Sequence, residues 1–102
     1  LIIPLIYLAY CYKNGKGIQK DAYKAFELYK KSAECGFIPS QYFLAKCYEY
    51  GEGVQESKRK ALKWYKLYQE NDGEHNVSDI ERKLVKIFNI FFKYYNKPTL
   101  TN

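Results

Sequence analysis

The sequence predicts an all-α fold: an α-solenoid of two helix-turn-helix repeats followed by a C-terminal capping helix. The first observation behind this is an internal repeat. Leu8-Ala-Tyr-Cys-Tyr-Lys-Asn-Gly-Lys-Gly-Ile-Gln19 recurs as Leu44-Ala-Lys-Cys-Tyr-Glu-Tyr-Gly-Glu-Gly-Val-Gln55, a shift of 36 residues. The same shift carries Lys24 onto Lys60, Ala25 onto Ala61, Tyr29 onto Tyr65, Lys30 onto Lys66 and Glu34 onto Glu70. A period of this size marks stacked two-helix units. The second observation is a glycine pair at the same place in each copy, Gly15 with Gly17 and Gly51 with Gly53, where a helix must stop and turn back. The third is apolar and aromatic residues at helical spacing within each copy. The division that follows is 1–36 for the first unit, 37–73 for the second, 78–95 for the capping helix and 96–102 for a flexible tail.

The first predicted helix covers 3–14. At about 100° per residue, Pro4, Leu5, Leu8, Ala9 and Tyr12 fall on one side. Pro4 is tolerated in the first turn, where its missing N–H had no partner to lose. Gly15 ends the helix in the left-handed conformation that only glycine adopts without steric cost. Ile18 is expected to plug the turn. Asp21 is the N-cap of the second helix, 22–35, its carboxylate accepting from free N–H groups at the positive end of the dipole. Ala25, Phe26, Tyr29 and Ala33 form its buried stripe, with Glu27 and Lys31 as an exposed i,i+4 pair. Gly36 stops it.

The second unit repeats this plan. Pro39 opens the third helix, 39–50; Gly51-Glu52-Gly53 closes it, and Val54 takes the place of Ile18. Ser57 replaces Asp21, one good N-cap for another. The fourth helix, 58–70, turns Ala61, Leu62, Tyr65 and Tyr68 inward, with Trp64 at the margin. A polar linker, Asn71-Asp-Gly-Glu-His-Asn76, leads out of the repeat. Ser78-Asp-Ile-Glu81 then fits a capping box, and Ile80, Leu84, Ile87, Phe88, Phe91 and Tyr95 follow helical spacing. This last helix is read as a lid over the exposed face of the second unit.

The chain of 102 residues bounds the answer to one domain with a modest core. Aromatics make up 19%, twelve of them Tyr, which fill wide helix–helix gaps with rings while keeping a polar tip at the surface. The net charge of +6 is spread among interspersed Lys and Glu, the pattern of solvated helix faces; a basic groove for an acidic partner or nucleic acid is the sharper reading. The chain starts on Leu1 and is expected to be part of a longer protein, or a monomer. Its apolar opening run lacks a basic n-region, is interrupted by Pro4 and is too short to span a bilayer. Cys11 and Cys47 occupy equivalent positions, about 9 Å or more apart in a stacked array and beyond the reach of a disulfide, about 7 Å between Cα atoms. With Cys35 they are expected as reduced thiols of a cytoplasmic protein. No Cys-x-x-Cys occurs and His75 is the sole histidine, so neither metal nor cofactor is expected.

The strings Tyr12-x-x-Gly15-x-Gly17-Ile18 and Asp21-x-x-Lys24-Ala25-Phe26-x-x-Tyr29-x-x-Ser32-Ala33-x-x-Gly36 resemble the Sel-one-like repeat family, a subclass of the tetratricopeptide-like helical repeats. The pattern returns as Tyr48-x-x-Gly51-x-Gly53-Val54 and Ala61-Leu62-x-x-Tyr65, so the resemblance covers residues 4–70. It implies a right-handed superhelix that scaffolds other proteins and is not itself an enzyme; some members are appended to catalytic domains, kinases among them. Two features depart from the pattern. Ala9 and Ala45 stand where the family has Gly. Gln69 and Asp72 replace the second-unit counterparts of Ala33 and Gly36, which favours a terminal repeat.

In such arrays the first helix of each unit lines the concave surface. Opposite the buried stripe this places Tyr7, Tyr10 and Asn14, and their equivalents Phe43, Lys46 and Tyr50: rings that hold a peptide or partner helix at low entropic cost, with Lys46 suited to a carboxylate. Catalysis has little support. No Ser-His-Asp or Cys-His set is present, and the acids Glu49 and Glu52 lie in polar positions. Gly15-x-Gly17 and Gly51-x-Gly53 follow helices and lack the third glycine of a nucleotide fingerprint. Asn76-Val-Ser78 matches a glycosylation sequon, relevant only outside the cell. The nucleic-acid alternative rests on Arg82, Lys83, Lys86, Lys93 and Lys97, and a steep salt dependence would distinguish it. A third reading makes the chain a spacer or regulatory repeat attached to a catalytic domain.

Overall fold

The computed structural model describes residues 4–72, together with Lys86. Four helices follow in order: α1 (Leu5–Asn14), α2 (Ala22–Glu34), α3 (Ile38–Tyr50) and α4 (Lys58–Asp72). No strand occurs among the described residues. Each helix packs on the next, α1 on α2, α2 on α3 and α3 on α4, so two hairpins stand in one row. The expected capping helix at 78–95 and the tail lie outside the described residues.

The turns explain why the hairpins are alike. Gly15 (φ 67°) and Gly51 (φ 68°) are both left-handed, and each donates its N–H back to a cysteine carbonyl, Cys11 and Cys47 respectively. The backbone N–H of Asp21 then reaches the Tyr12 carbonyl at 2.9 Å, and that of Ser57 the Tyr48 carbonyl at 2.8 Å. Both N-caps form as expected: Asp21 accepts from the Lys24 N–H at 3.1 Å and the Ser57 hydroxyl from the Lys60 N–H at 3.2 Å. The rings behave alike as well, with Lys24 Nζ 5.5 Å from the Tyr12 centroid and Lys60 Nζ 5.5 Å from that of Tyr48.

The two hairpins share a core. Phe26 of α2 meets Tyr48 of α3 edge-on at 5.5 Å, and Tyr29 stacks on Phe43 at 5.3 Å. Tyr42 continues the seam to Tyr65 and Tyr68 of α4 at 5.8 and 5.7 Å. The turn after α3 locks the units further. A Cβ on Gly53 would lie 2.1 Å from the Ala22 carbonyl oxygen, so only glycine lets this turn rest on the start of α2.

Several expectations need correction. α1 begins at Leu5 with Pro4 as its N-cap, and α3 takes in Ile38, with Pro39 in its first turn. α1 buries Ile6, Tyr7, Ala9 and Cys11, while Leu5 is exposed and Leu8 and Tyr12 are half-buried. Apolar residues surround this helix, so spacing alone selects no single face. Leu62 is exposed rather than inward, and Ile18 is exposed where Val54 packs on the core; the turn bearing Val54 rests on α2. Glu27 accepts from the Tyr23 hydroxyl at 3.1 Å, one turn back along the helix.

Candidate functional site

The six residues expected on the concave strip divide into two groups. Tyr7 and Phe43 are buried, 7% and 3% exposed; they belong to the floor beneath the strip, because each helix turns them toward neighbouring rings and thiols. A hydrogen bond ties Tyr7 to the Cys11 thiol. Tyr10, Asn14, Lys46 and Tyr50 reach the surface. Tyr10 is half-buried, and the Asn14 side-chain amide donates to its carbonyl at 3.0 Å. Lys46 Nζ sits 5.5 Å from the Tyr42 centroid. Tyr50 is 63% exposed at the C-terminal end of α3, with Lys58 Nζ 5.9 Å from its ring.

A cavity of about 350 Å³ lies next to this strip, where the end of α1, the start of α2 and the turn after α3 converge. Lys13, Asn14, Lys20, Tyr29, Cys47 and Glu52 line it. Burial pushes the Cys47 thiol up to about 11, with the Glu52 charge adding to the rise and Lys13 and Lys46 opposing it. Burial also raises the Tyr29 hydroxyl, so it stays a proton donor at neutral pH. That hydroxyl has no hydrogen-bond partner. In the second repeat the Tyr65 hydroxyl donates to Glu49 Oε1 at 2.6 Å, and burial followed by this bond raises it too.

Sequence reasoning missed the cavity and the polar pairs. Ser40 donates to Ser32 at 2.6 Å with both side chains buried, and no spacing rule announces a contact between the end of one helix and the start of the next. The thiols are free, Cys35 exposed and Cys11 and Cys47 buried. Among the described residues, no group of three or more His, Cys, Asp or Glu is placed to hold a metal ion, and no helix is long and apolar enough to cross a membrane.

Comparison with known proteins bears on the whole arrangement. The family model for the Sel1 repeat matches residues 5–37 and again 38–67. A solved structure, the Sel1 repeat protein from Oxalobacter formigenes, is similar with a TM-score of 0.67 and 29% sequence identity. The similarity covers 82% of this chain and 62% of that one. A search of curated proteins finds no match.

Proposed function

The chain belongs to the Sel1 repeat family, whose repeats are generally protein-interaction modules and typically non-catalytic, and we propose that it binds a partner peptide or helix along the strip Tyr10, Asn14, Lys46 and Tyr50. Tyr7 and Phe43 shape the floor of that strip. The observation that carries the reading is Tyr50, a large ring 63% exposed at the end of α3 with Lys58 Nζ 5.9 Å from its centroid. Rigid aromatics anchor a partner at little cost in side-chain entropy, and a neighbouring ammonium adds a contact for a carboxylate. Catalysis has no comparable support on this face: its side chains offer rings, an amide and an ammonium, with no paired acid and base.

The test uses Lys46→Ala and Tyr50→Ala together. With Tyr50 exposed and Lys46 half-buried against the Tyr42 ring, the pair should cost no more than about 1 kcal/mol, read by thermal melting. Recovery of the partner on the immobilised chain should fall about tenfold or more, as for removal of an interface anchor. Undiminished recovery with an unchanged melt would remove the strip from the binding surface.

A further inference from the structure

We propose that the exposed face of α4 docks an acidic amphipathic helix of another protein, one with apolar anchors between its carboxylates. The surface lies on a different helix from the strip Tyr10, Asn14, Lys46 and Tyr50 and stands without it. The inference comes from setting α4 against α2, its counterpart one repeat earlier. The shift of 36 residues carries Tyr23 onto Arg59, Phe26 onto Leu62, Glu27 onto Lys63 and Lys31 onto Leu67. In α2 this face is satisfied within the chain. Phe26 is buried against the Tyr48 ring, and the Tyr23 hydroxyl donates to Glu27 at 3.1 Å. In α4 an acid has become a cation, a cation has become apolar, and Leu62 is 54% exposed.

The shape of the face suits a helix. Leu62 and Lys66 line two clefts at once and so form a ridge between them. One cleft, of about 430 Å³, is completed by Arg59, Lys63, Leu67 and Glu70. The other, of about 390 Å³, is completed by Tyr42, Tyr65, Tyr68 and Gln69. A partner helix packs by setting side chains into the grooves on either side of such a ridge, with anchors three or four residues apart. The charge then selects the occupant. Lys58 with Glu56 is the one ion pair among the described residues, so Arg59, Lys63 and Lys66 offer their charge to a partner, against the single carboxylate of Glu70. Carboxylates beside the apolar anchors complement that face and set both encounter rate and register. A second copy of the chain, at net charge +6, does not complement it. Nor does the stretch 78–95, in which Arg82, Lys83, Lys86 and Lys93 outnumber Asp79 and Glu81.

The experiment is a fluorescence-anisotropy titration of the full chain against a labelled helical peptide with Leu at i, i+3, i+4 and i+7 and Glu between them. Two controls accompany it, the same residues in scrambled order and the same helix with Lys for Glu. Saturable binding of the acidic helix alone is expected. Leu62→Ser, at an exposed position, should weaken it about tenfold, as for removal of an interface anchor. Lys66→Ala carries the same test should Leu62→Ser lower the melting temperature, and should also weaken binding. The triple change Arg59→Glu, Lys63→Glu and Lys66→Glu should abolish it and transfer preference to the lysine helix. Tyr50→Ala should leave it unchanged, which separates this face from the strip. Added salt should weaken binding without removing it, because the anchors are apolar. No saturation, equal binding of the scrambled peptide, or full binding by Leu62→Ser would overturn the proposal. So would tighter binding of single-stranded RNA or of anionic phospholipid vesicles, or a self-association in sedimentation that Leu62→Ser removes.

Discussion

The hydroxyl of Ser40 and that of Ser32 have only each other, 2.6 Å apart and out of reach of solvent. Removing one strands the other. Ser40→Ala should therefore cost about 1–3 kcal/mol, whereas the double replacement by alanine should restore much of that loss; urea melts of the two singles and the double give the coupling. The cysteines make a second prediction. Cys47 is held protonated by burial, its pKa raised from 9.0 to about 11. A fold that favours the neutral thiol is fully stabilised by it below pH 9 and loses that contribution as pH rises toward 11. Melting temperature should fall across that window, and less so in Cys47→Ala. At neutral pH an alkylating reagent should label Cys35 quickly and leave Cys11 and Cys47 until the chain unfolds, which intact mass spectrometry reads directly. Of these residue-level features the sequence made legible only the absence of a disulfide. Which hydroxyl meets which depends on how helices from different parts of the chain sit together, and residue spacing carries no record of that.

Helices and turns were far more legible, because their signals are local. Asp21 and Ser57 cap as their residue types require, and each should cost about 1 kcal/mol when changed to alanine. Boundaries came within one or two residues wherever a cap or glycine marked them. Faces were harder. α2 mixes charge and apolar residues with a clear stripe, and Ala25, Phe26, Tyr29 and Ala33 are buried as expected. α1 is apolar on every side, so Tyr7 was placed on the surface and lies inside. Gly53 was legible as a turn residue, but its contact with α2 was not. Two substitutions separate those roles. At Gly36 (φ 88°) an added Cβ meets nothing within 4 Å, so Gly36→Ala should cost only backbone strain, about 1–2 kcal/mol. Gly53→Ala carries the same strain and also drives a Cβ into the Ala22 carbonyl, for about 3 kcal/mol or more in total. Chemical denaturation of the two variants ranks them.

At the scale of the molecule, the repeat was readable because a 36-residue shift reproduces whole strings of the chain. What breaks the symmetry was not readable in advance: the Tyr65 hydroxyl donates to Glu49, whereas Lys13, at the position equivalent to Glu49, sits over the Phe43 ring. The two hairpins are joined by ring contacts between α2 and α3 and by the turn at Gly53 resting on Ala22. Units coupled through such an interface gain and lose structure together. The most direct test of this coupling is amide hydrogen exchange on Gly53→Ala compared with the parent chain. A locked pair predicts faster exchange in both hairpins, in α1 and α2 as well as in α3 and α4. Faster exchange confined to α3 and α4, with α1 and α2 protected as before, would contradict it.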